Sequence, residues 1–408
     1  MIPGYLYIKF NGVIAVQRTI HVFIFLGLIV LITGMFVLNN APENDDSNVH
    51  EAKAVVLEID DSDVIQSGIS KIGYQLVTVK ITEGQFKGLK VTATNQLQGK
   101  LELDSYYRPG DKMVVALMEE GGRIMDARTL EIYRQDWLLV LFGIFVFCLI
   151  IYAKVIGLKS LFSFIASLYV IWNFLIPGLL DGKNPLVIAA LVLVLLSGLI
   201  IFSVAGFTRK GAAAFIGTMS GLLITIGITL FIGDKLAMNG MTSPFAETLL
   251  FSGHLDLNMK YIFYAAIIIG ASGAAMDIAM DVAASMEEIK TQKPDINMQE
   301  LVRSGFNVGR AVICTMTTTL LLAYSGGYLT LLMLFMEKNS SFIRMLNMKM
   351  VAAEIMRTLV GSIGLVLVAP ITAIVAGWIL SLSRQKSFSK ASNVLSQGQG
   401  FKRWVKYK

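Results

Sequence analysis

Eight long runs of apolar residues constrain the fold of this chain more than any other feature of its sequence. An α-helix needs about 17 residues to cross the hydrocarbon core of a bilayer, and the length of each run is close to or above this number. The runs cover residues 21–38, 137–153, 161–176, 185–206, 212–232, 261–283, 305–335 and 351–380. They predict an α-helical membrane protein with about eight transmembrane helices.

The first apolar run, residues 21–38, is similar to the hydrophobic part of a secretory signal peptide. The residues after it, NNAPENDD, contain no small-x-small cleavage site, so we interpret the run as an uncleaved transmembrane anchor. The sequence therefore predicts five parts. These are a cytoplasmic N-terminus (1–20), the anchor (21–38), an extracytoplasmic β-rich domain (49–134), a helical transmembrane domain of about seven spans (136–382) and a basic cytoplasmic tail (383–408).

The positions of lysine and arginine predict the orientation of the spans. Counting alternately from a cytoplasmic N-terminus places Lys154, Arg209 and Lys293 on the cytoplasmic side, together with the tail sequence FKRWVKYK. This agrees with the positive-inside rule and predicts a cell-membrane protein with both termini in the cytoplasm. The segment EKNSSFIRMLNMKM (337–350) disagrees, because the count places its basic residues outside. It is either an amphipathic interfacial helix or a sign that the count is wrong by one there.

Composition supports this interpretation and argues against nucleic acid as a partner. Of the 408 residues, 55% are hydrophobic and 16% are charged, which is the balance of a multi-spanning protein. The net charge of +6 comes from short clusters between apolar runs and in the tail, a pattern that fits lipid topology better than a nucleic-acid groove. The two cysteines lie in apolar segments, and the three histidines show no metal-binding spacing. We therefore expect neither a metal site nor a cofactor.

Residues 49–134 differ in character from the apolar runs around them. Five segments rich in Val, Thr and Tyr are separated by turn signals such as EGQFKG, RPGD and EEGGR. The segments are AKAVVLEID, YQLVTVKI, LKVTATNQL, KMVVALME and RIMDARTLEIY. Five short strands with this spacing predict a small barrel that resembles an OB-fold. The acidic stretch EIDDSD (58–63) favours a solvated turn over a calcium loop, because it lacks the Gly and the distal Glu of an EF-hand.

Two aspartates, Asp277 and Asp281, lie one helical turn apart in the apolar stretch GASGAAMDIAMDVAASMEEI (270–289). Together with Glu288 they fall on one stripe of a helix. Because an ionised carboxylate in contact with lipid costs several kcal/mol, we expect the stripe to face the bundle interior or a water-filled cavity. Carboxylates that share a cavity disfavour each other's ionisation, so the pair is a candidate site for exchanging a proton for a cation. The alternative is that Asp281 is simply hydrated near the cytoplasmic end.

The next span, which begins SGFNVGRAVICTMTTT, adds Asn307, Arg310, Thr315 and Thr319 as candidate binding residues. Because this span is antiparallel to the preceding one, Arg310 and the aspartates lie near the same end, and a salt bridge between them is geometrically plausible. The alternative for Arg310 is that it snorkels to the lipid headgroups. The threonine hydroxyls have two interpretations. They line a path for an ion or solute, or they form hydrogen bonds with the backbone of their own helix.

The last span contains a further acid–base pair. Glu354 and Arg357 are spaced i,i+3 in EIMRTLVGSIGLVLVAPITA, near the predicted outer end, and an intrahelical ion pair explains them. The preceding run is too long for one untilted crossing, and YSGGY (324–328) is where we predict a break. Broken helices beside buried charges recur in secondary transporters.

Three ordered motifs resemble a known family, the YibE/F-like membrane proteins. They are GASGAAMDIAMDVAASMEEI, NVGRAVICTMTTTLLLAYSGG and EIMRTLVGSIGLVLVAPITA, and they follow an anchor and a β-rich segment that ends EIYRQDWLLVL. The sequence departs from the family pattern at three positions: Asp281 replaces a small hydroxyl residue, Ala311 an acidic residue and Thr318 an asparagine. The resemblance implies a multi-pass membrane protein and points to a shorter paralogue without the β-domain as a partner. A homo-oligomer is the other partner that we consider.

Three classes of function fit these features to different degrees. An ion-coupled secondary transporter or permease for an unknown small ion or solute explains the intramembrane charges, and the absence of GxxxxGK[ST] argues against ATP hydrolysis. The alternative is an accessory or scaffold protein whose β-domain binds a partner. An intramembrane protease is disfavoured, because Asp277 and Asp281 share one helix, and we expect no enzyme activity. A cavity that reaches Asp277 would support transport, whereas a dry ion pair would support the scaffold.

Overall fold

The computed structural model describes residues 49–337 and 341–404, with side chains described only as far as residue 382. The predicted anchor (21–38) and the N-terminal segment (1–20) lie outside the described residues. The chain divides into two compact units, and each is described by itself. Among the described residues, one unit extends to Tyr152 and the other begins at Ala153.

The first unit contains a closed five-stranded barrel, as the sequence predicts. Its strands follow one another in the order β1-β2-β3-β5-β4, and β4 pairs again with β1. All neighbouring strands are antiparallel except β3 and β5, which are parallel. The strands are β1 (Val49–Ser67), β2 (Ser70–Ile81), β3 (Lys90–Gln98), β4 (Lys112–Glu120) and β5 (Arg123–Ile132). A partly open five-stranded Greek-key barrel is typical of the OB-fold, so the unit is OB-like.

Side chains alternate between the inside and the outside of the barrel, and the inward side chains fill it. In β2, the inward side chains of Val77, Val79 and Ile81 are fully buried, whereas the residues between them are not. The inward Gln75 is also buried, and its side-chain amide donates to Asp61 Oδ1 at 2.9 Å. Tyr107 is completely buried, and this burial raises the pKa of its hydroxyl. The barrel core is therefore apolar with a small polar network at one place.

Outside the barrel, the described residues are almost entirely helical. The helices are α1 (Gln135–Val170), which continues through a π-helical turn (Ile171–Leu175) into α2 (Ile176–Leu180), α3 (Pro185–Ala205), α4 (Arg209–Lys235), α5 (Ala246–Phe251), α6 (Met259–Gln292), α7 (Met298–Gly327), α8 (Leu329–Glu337), α9 (Phe342–Asn347) and α10 (Lys349–Trp404). Six helices in the described part of the chain are long and apolar enough to cross a membrane. These spans indicate a multi-pass membrane protein.

The described residues contain six candidate spans, and the first of them is a long helical stretch with a backbone break at Lys154. The predicted spans 137–153 and 161–176 lie on one helical stretch, Gln135–Leu180, which is counted as a single candidate span of 46 residues. The segment between them, KVIGLKS, contains no proline and no turn motif, and the helical backbone is interrupted only at Lys154 (φ 48°, ψ −122°). The total of about eight spans stays a prediction.

The structure meets the expectation of a helix end at YSGGY. α7 ends at Gly327 and α8 begins at Leu329, so the chain breaks within YSGGY as predicted. The segment 337–350 contains the short helix α9. The helix α10 runs through Pro370 without ending there.

Close contact between α4 and α10 depends on glycine: a Cβ atom at Gly221 or at Gly364 would overlap a side chain of the other helix.

Candidate ion and solute site

Helix α6 lies at the centre of the helical unit and packs against α3, α4, α7 and α10. Most of its side chains are buried or half-buried, and the exposed residues between positions 260 and 290 fall on a single line along the helix. This line, which we name the α6 stripe, consists of Ala266, Gly270, Gly273, Asp277, Asp281 and Glu288. The spacings of three, four and seven residues place them on one face. The predicted acidic stripe therefore exists, and it is the uncovered face of the helix.

The stripe is open because the neighbours of α6 do not surround it completely. α3 packs against α4, and α10 packs against both α4 and α7, but α3 and α7 have no extensive contact with each other. On one side of the gap, Ile269 packs against the apolar cluster that contains Val192 and Leu196 of α3. The stripe thus forms the floor of a gap between α3 and α7.

Asp277 and Asp281 form no ion pair with Arg310, so the predicted salt bridge is wrong for a single chain. Among the described residues, neither aspartate has a partner within 4.0 Å, and Arg310 is exposed and unpaired. The reason is the rotation of α7, which presents Gly305 and Gly309 to α6. Arg310 follows Gly309 directly and is turned from it by about 100°, away from α6.

The predicted polar ligands of α7 lie on two different flanks of the helix. Thr315 and Thr319 are exposed about one turn apart on one flank of α7. Each donates its hydroxyl proton within its own helix, Thr315 to the Val312 carbonyl and Thr319 to the Thr315 carbonyl, both at 2.9 Å. The hydroxyl oxygens keep lone pairs for a ligand. Asn307 is exposed on the other flank, with Arg310.

Glu354 and Arg357 form the predicted intrahelical ion pair on α10. Arg357 Nη1 lies 3.0 Å from Glu354 Oε1 and donates to the Tyr328 hydroxyl at 3.3 Å. The guanidinium carbon is also 5.6 Å from the centre of the Phe263 ring. Glu354 Oε2 is buried and has no hydrogen-bond partner among the described groups. The pair is therefore held from two neighbouring helices, but one carboxylate oxygen is left unsatisfied.

A cavity of about 310 Å³ lies beside this pair, between α10 and the broken end of α7 with α8. Its lining is mainly apolar and also includes Glu354, Tyr324 and Tyr328. The lining residues are Leu321, Tyr324, Ser325, Tyr328, Leu331, Leu332, Phe335, Val351, Glu354, Ile355, Thr358 and Leu359. The cavity is of the size and character of small-molecule sites.

Comparisons with known proteins identify the family. A family model described as YibE/F-like protein matches residues 141–382, and another described as YibE/F family N-terminal domain matches residues 47–131. The chain belongs to the YibE/F family. No curated protein and no solved structure matches it. Family membership therefore covers both the barrel and the helical unit, in agreement with the resemblance of the three motifs.

Tyr324 connects the two parts of the site in this YibE/F family member. Its side chain lines the cavity, and its hydroxyl oxygen would lie 3.5 Å from a Cβ atom placed on Gly270 of the α6 stripe. The stripe thus runs from the acidic residues toward Tyr324 and the cavity beside Glu354. The sequence predicts the break after Tyr324 and the ion pair, but it gives no signal that tyrosines at the break join them.

Asp281 and Ala311, two of the positions at which the sequence departs from the family that it resembles, lie at about the same level. Contacts of Gly305 with Met286 and of Gly309 with Val282 fix the relative levels of α6 and α7. By these levels, Ala311 lies about opposite Asp281 along the two antiparallel helices.

Proposed function

We propose that this YibE/F family member is an ion-coupled secondary transporter or permease whose cation site includes Asp277 and Asp281. One observation carries the proposal. The only exposed line on the otherwise buried middle of α6 holds two unpaired carboxylates and reaches a tyrosine that borders a cavity. Intramembrane ionisable residues commonly mark ion and substrate pathways.

The spacing of the two aspartates supports ion exchange. Two carboxylates one helical turn apart repel each other when both are ionised, and a bound proton or cation relieves this repulsion. Neither carboxylate is neutralised by a basic residue of the described chain. A cation that enters the site would therefore displace a proton, which couples cation movement to proton movement.

The rest of the path leads from the α6 stripe to Tyr324, whose hydroxyl lies beside Gly270 and whose side chain lines the cavity. In our proposal the carboxylates hold the coupling ion, and the cavity beside Glu354 holds a small solute with an apolar part. The proposal contains no catalytic step.

A scaffold is the alternative to this function, and the geometry at Asp277 argues against it. A scaffold that uses charges only to lock helices together needs Asp277 in a closed ion pair, and no such pair exists in the described chain. We further propose that the protein lies in the cell membrane with both termini in the cytoplasm and the barrel outside, as the positive-inside rule predicts.

Uptake into proteoliposomes tests the proposal. Wild type and Asp277→Asn are reconstituted at equal amounts of folded protein, and uptake of sodium, potassium, manganese and phosphate is measured under imposed ion gradients. We expect uptake of at least one ion by wild type and its loss in Asp277→Asn. Asp181→Asn is the matched control, because Asp181 pairs only with Lys183, at 2.8 Å, outside the site. Equal transport by Asp277→Asn and wild type would refute the role of the stripe.

A further inference from the structure

Helix α7 exposes a polar face that is unsuited to lipid. Its most apolar window has a mean hydropathy of 1.3, the lowest of the six candidate spans in the described residues. The exposed residues on its flank away from α6, which we name the α7 polar face, are Arg303, Asn307, Arg310, Cys314 and Thr318. Neither arginine has an ion-pair partner in the described chain. Unpaired arginines and aspartates facing hydrocarbon are both strongly disfavoured.

The charges of the two uncovered faces match in sign and in level. Because Met286 meets Gly305 and Val282 lies beside Gly309, Asp281 is level with Arg310. By the same contacts, Glu288 is level with Arg303. The two acids are seven residues apart on α6, and the two arginines are seven residues apart on the antiparallel α7. Within one chain these groups do not meet, because α7 turns its glycines to α6 and its arginines away.

We propose that a second copy of this chain covers both faces, with the α6 stripe of each copy against the α7 polar face of the other. Two copies inserted in the same orientation and related by a twofold axis along the membrane normal keep every residue at its level. This symmetry brings Arg310 of the second copy to the level of Asp281, and Arg303 of the second copy to that of Glu288. The small residues Ala266 and Gly270 permit close approach of a facing helix.

The second copy also completes the ion site of the proposed transporter. Arg310 of the second copy faces Asp281 and so contributes a charged group to the site that holds Asp277 and Asp281. A charge pair removed from water is favourable only when both members are present. Association is therefore expected to depend on this pair whether or not the protein transports a solute.

Charge reversal in separate copies tests the proposal. Chains with two different affinity tags are co-expressed, and capture by one tag is followed by detection of the other. We expect wild-type chains to capture each other, and we expect Asp281→Arg alone or Arg310→Asp alone to capture its own kind about tenfold less, because like charges then face each other. Asp281→Arg co-expressed with Arg310→Asp should recover capture, since both contacts are again complementary. Arg209→Asp, at an exposed arginine that begins α4, is the control and should behave as wild type.

Recovery between two different chains separates this interface from a pair within one chain, which co-expression would not restore. If the mixed pair captures no better than each variant alone, or if wild-type chains do not capture each other, the proposal is wrong. A wild-type complex that holds another protein and no second copy would also overturn it.

Because charge reversal can prevent folding, a second measurement uses Asp281→Cys in one copy and Arg310→Cys in the other, without native cysteines. A disulfide that joins the two tags is expected, and its absence would contradict the interface. Neither assay measures transport, so the interface between copies and the transport function can each be refuted independently of the other.

Discussion

Replacing Arg357 with methionine tests whether the pair with Glu354 stabilises the helical unit. The side chains of Arg357 and Glu354 are only 20% and 16% exposed, and the carboxylate already has one oxygen without a partner. Breaking a buried pair on one side costs about 3–5 kcal/mol, and the remaining exposure places the expected loss near the lower end, at about 3 kcal/mol. Part of this loss comes from the hydrogen bond to Tyr328 and the contact with Phe263.

The double variant separates these contributions. Adding Glu354→Gln removes the orphaned charge, so Arg357→Met with Glu354→Gln should recover about 2 kcal/mol of the free energy of unfolding. The free energies are measured by reversible unfolding in mixed micelles, as a double-mutant cycle. Arg344→Met, at an exposed arginine of α9, is the control and should change stability by less than about 0.5 kcal/mol. Strictly additive losses would refute the coupling.

Three further predictions concern topology, pH dependence and the unpaired arginine. In a background without native cysteines, Ser62→Cys in the barrel should react with an impermeant thiol reagent added outside intact cells, whereas Thr291→Cys should react only after permeabilisation; the reverse pattern would overturn the orientation. Burial raises the pKa of Tyr107, so the folded barrel keeps this proton longer than the unfolded chain. Its stabilising effect is complete below the ordinary value of about 10 and is lost as the pH rises through the folded value, and Tyr107→Phe should reduce this loss in a urea titration followed by circular dichroism. Arg310→Ala should leave the free energy of unfolding of a single chain almost unchanged, because Arg310 has no partner within it, but should weaken capture between copies.

Local pattern predicts the barrel and the ends of several helices well. Alternation such as that in YQLVTVKI specifies a strand with one buried face, and Val77 and Val79 occupy that face. The glycines after Tyr324 and the i,i+3 spacing of Glu354 with Arg357 predict local features, and the structure confirms both. These predictions depend on residues within one or two turns of each other.

Features that depend on how helices rotate against each other are not predictable in this way. The sequence places Arg310 near the aspartates along the membrane, but the close packing of Gly305 and Gly309 decides which side of α7 meets α6. The connection through Tyr324 depends equally on tertiary packing against Gly270. The separation of the spans 137–153 and 161–176 agrees with the backbone break at Lys154, but the total of about eight spans stays a prediction.

Proton release during cation entry tests the central claim most directly. Proteoliposomes containing wild type and a pH-sensitive dye are given an inward gradient of each cation that wild type takes up. The account predicts that protons leave the site as the cation enters, that the rate of cation entry falls as the medium is acidified, and that Asp277→Asn abolishes both effects. Asp281→Asn should have a smaller effect, because Asp281 lies nearer the predicted cytoplasmic end, where water reaches it more easily. Cation uptake without proton movement, or proton movement that persists in Asp277→Asn, would contradict the α6 stripe as the exchange site.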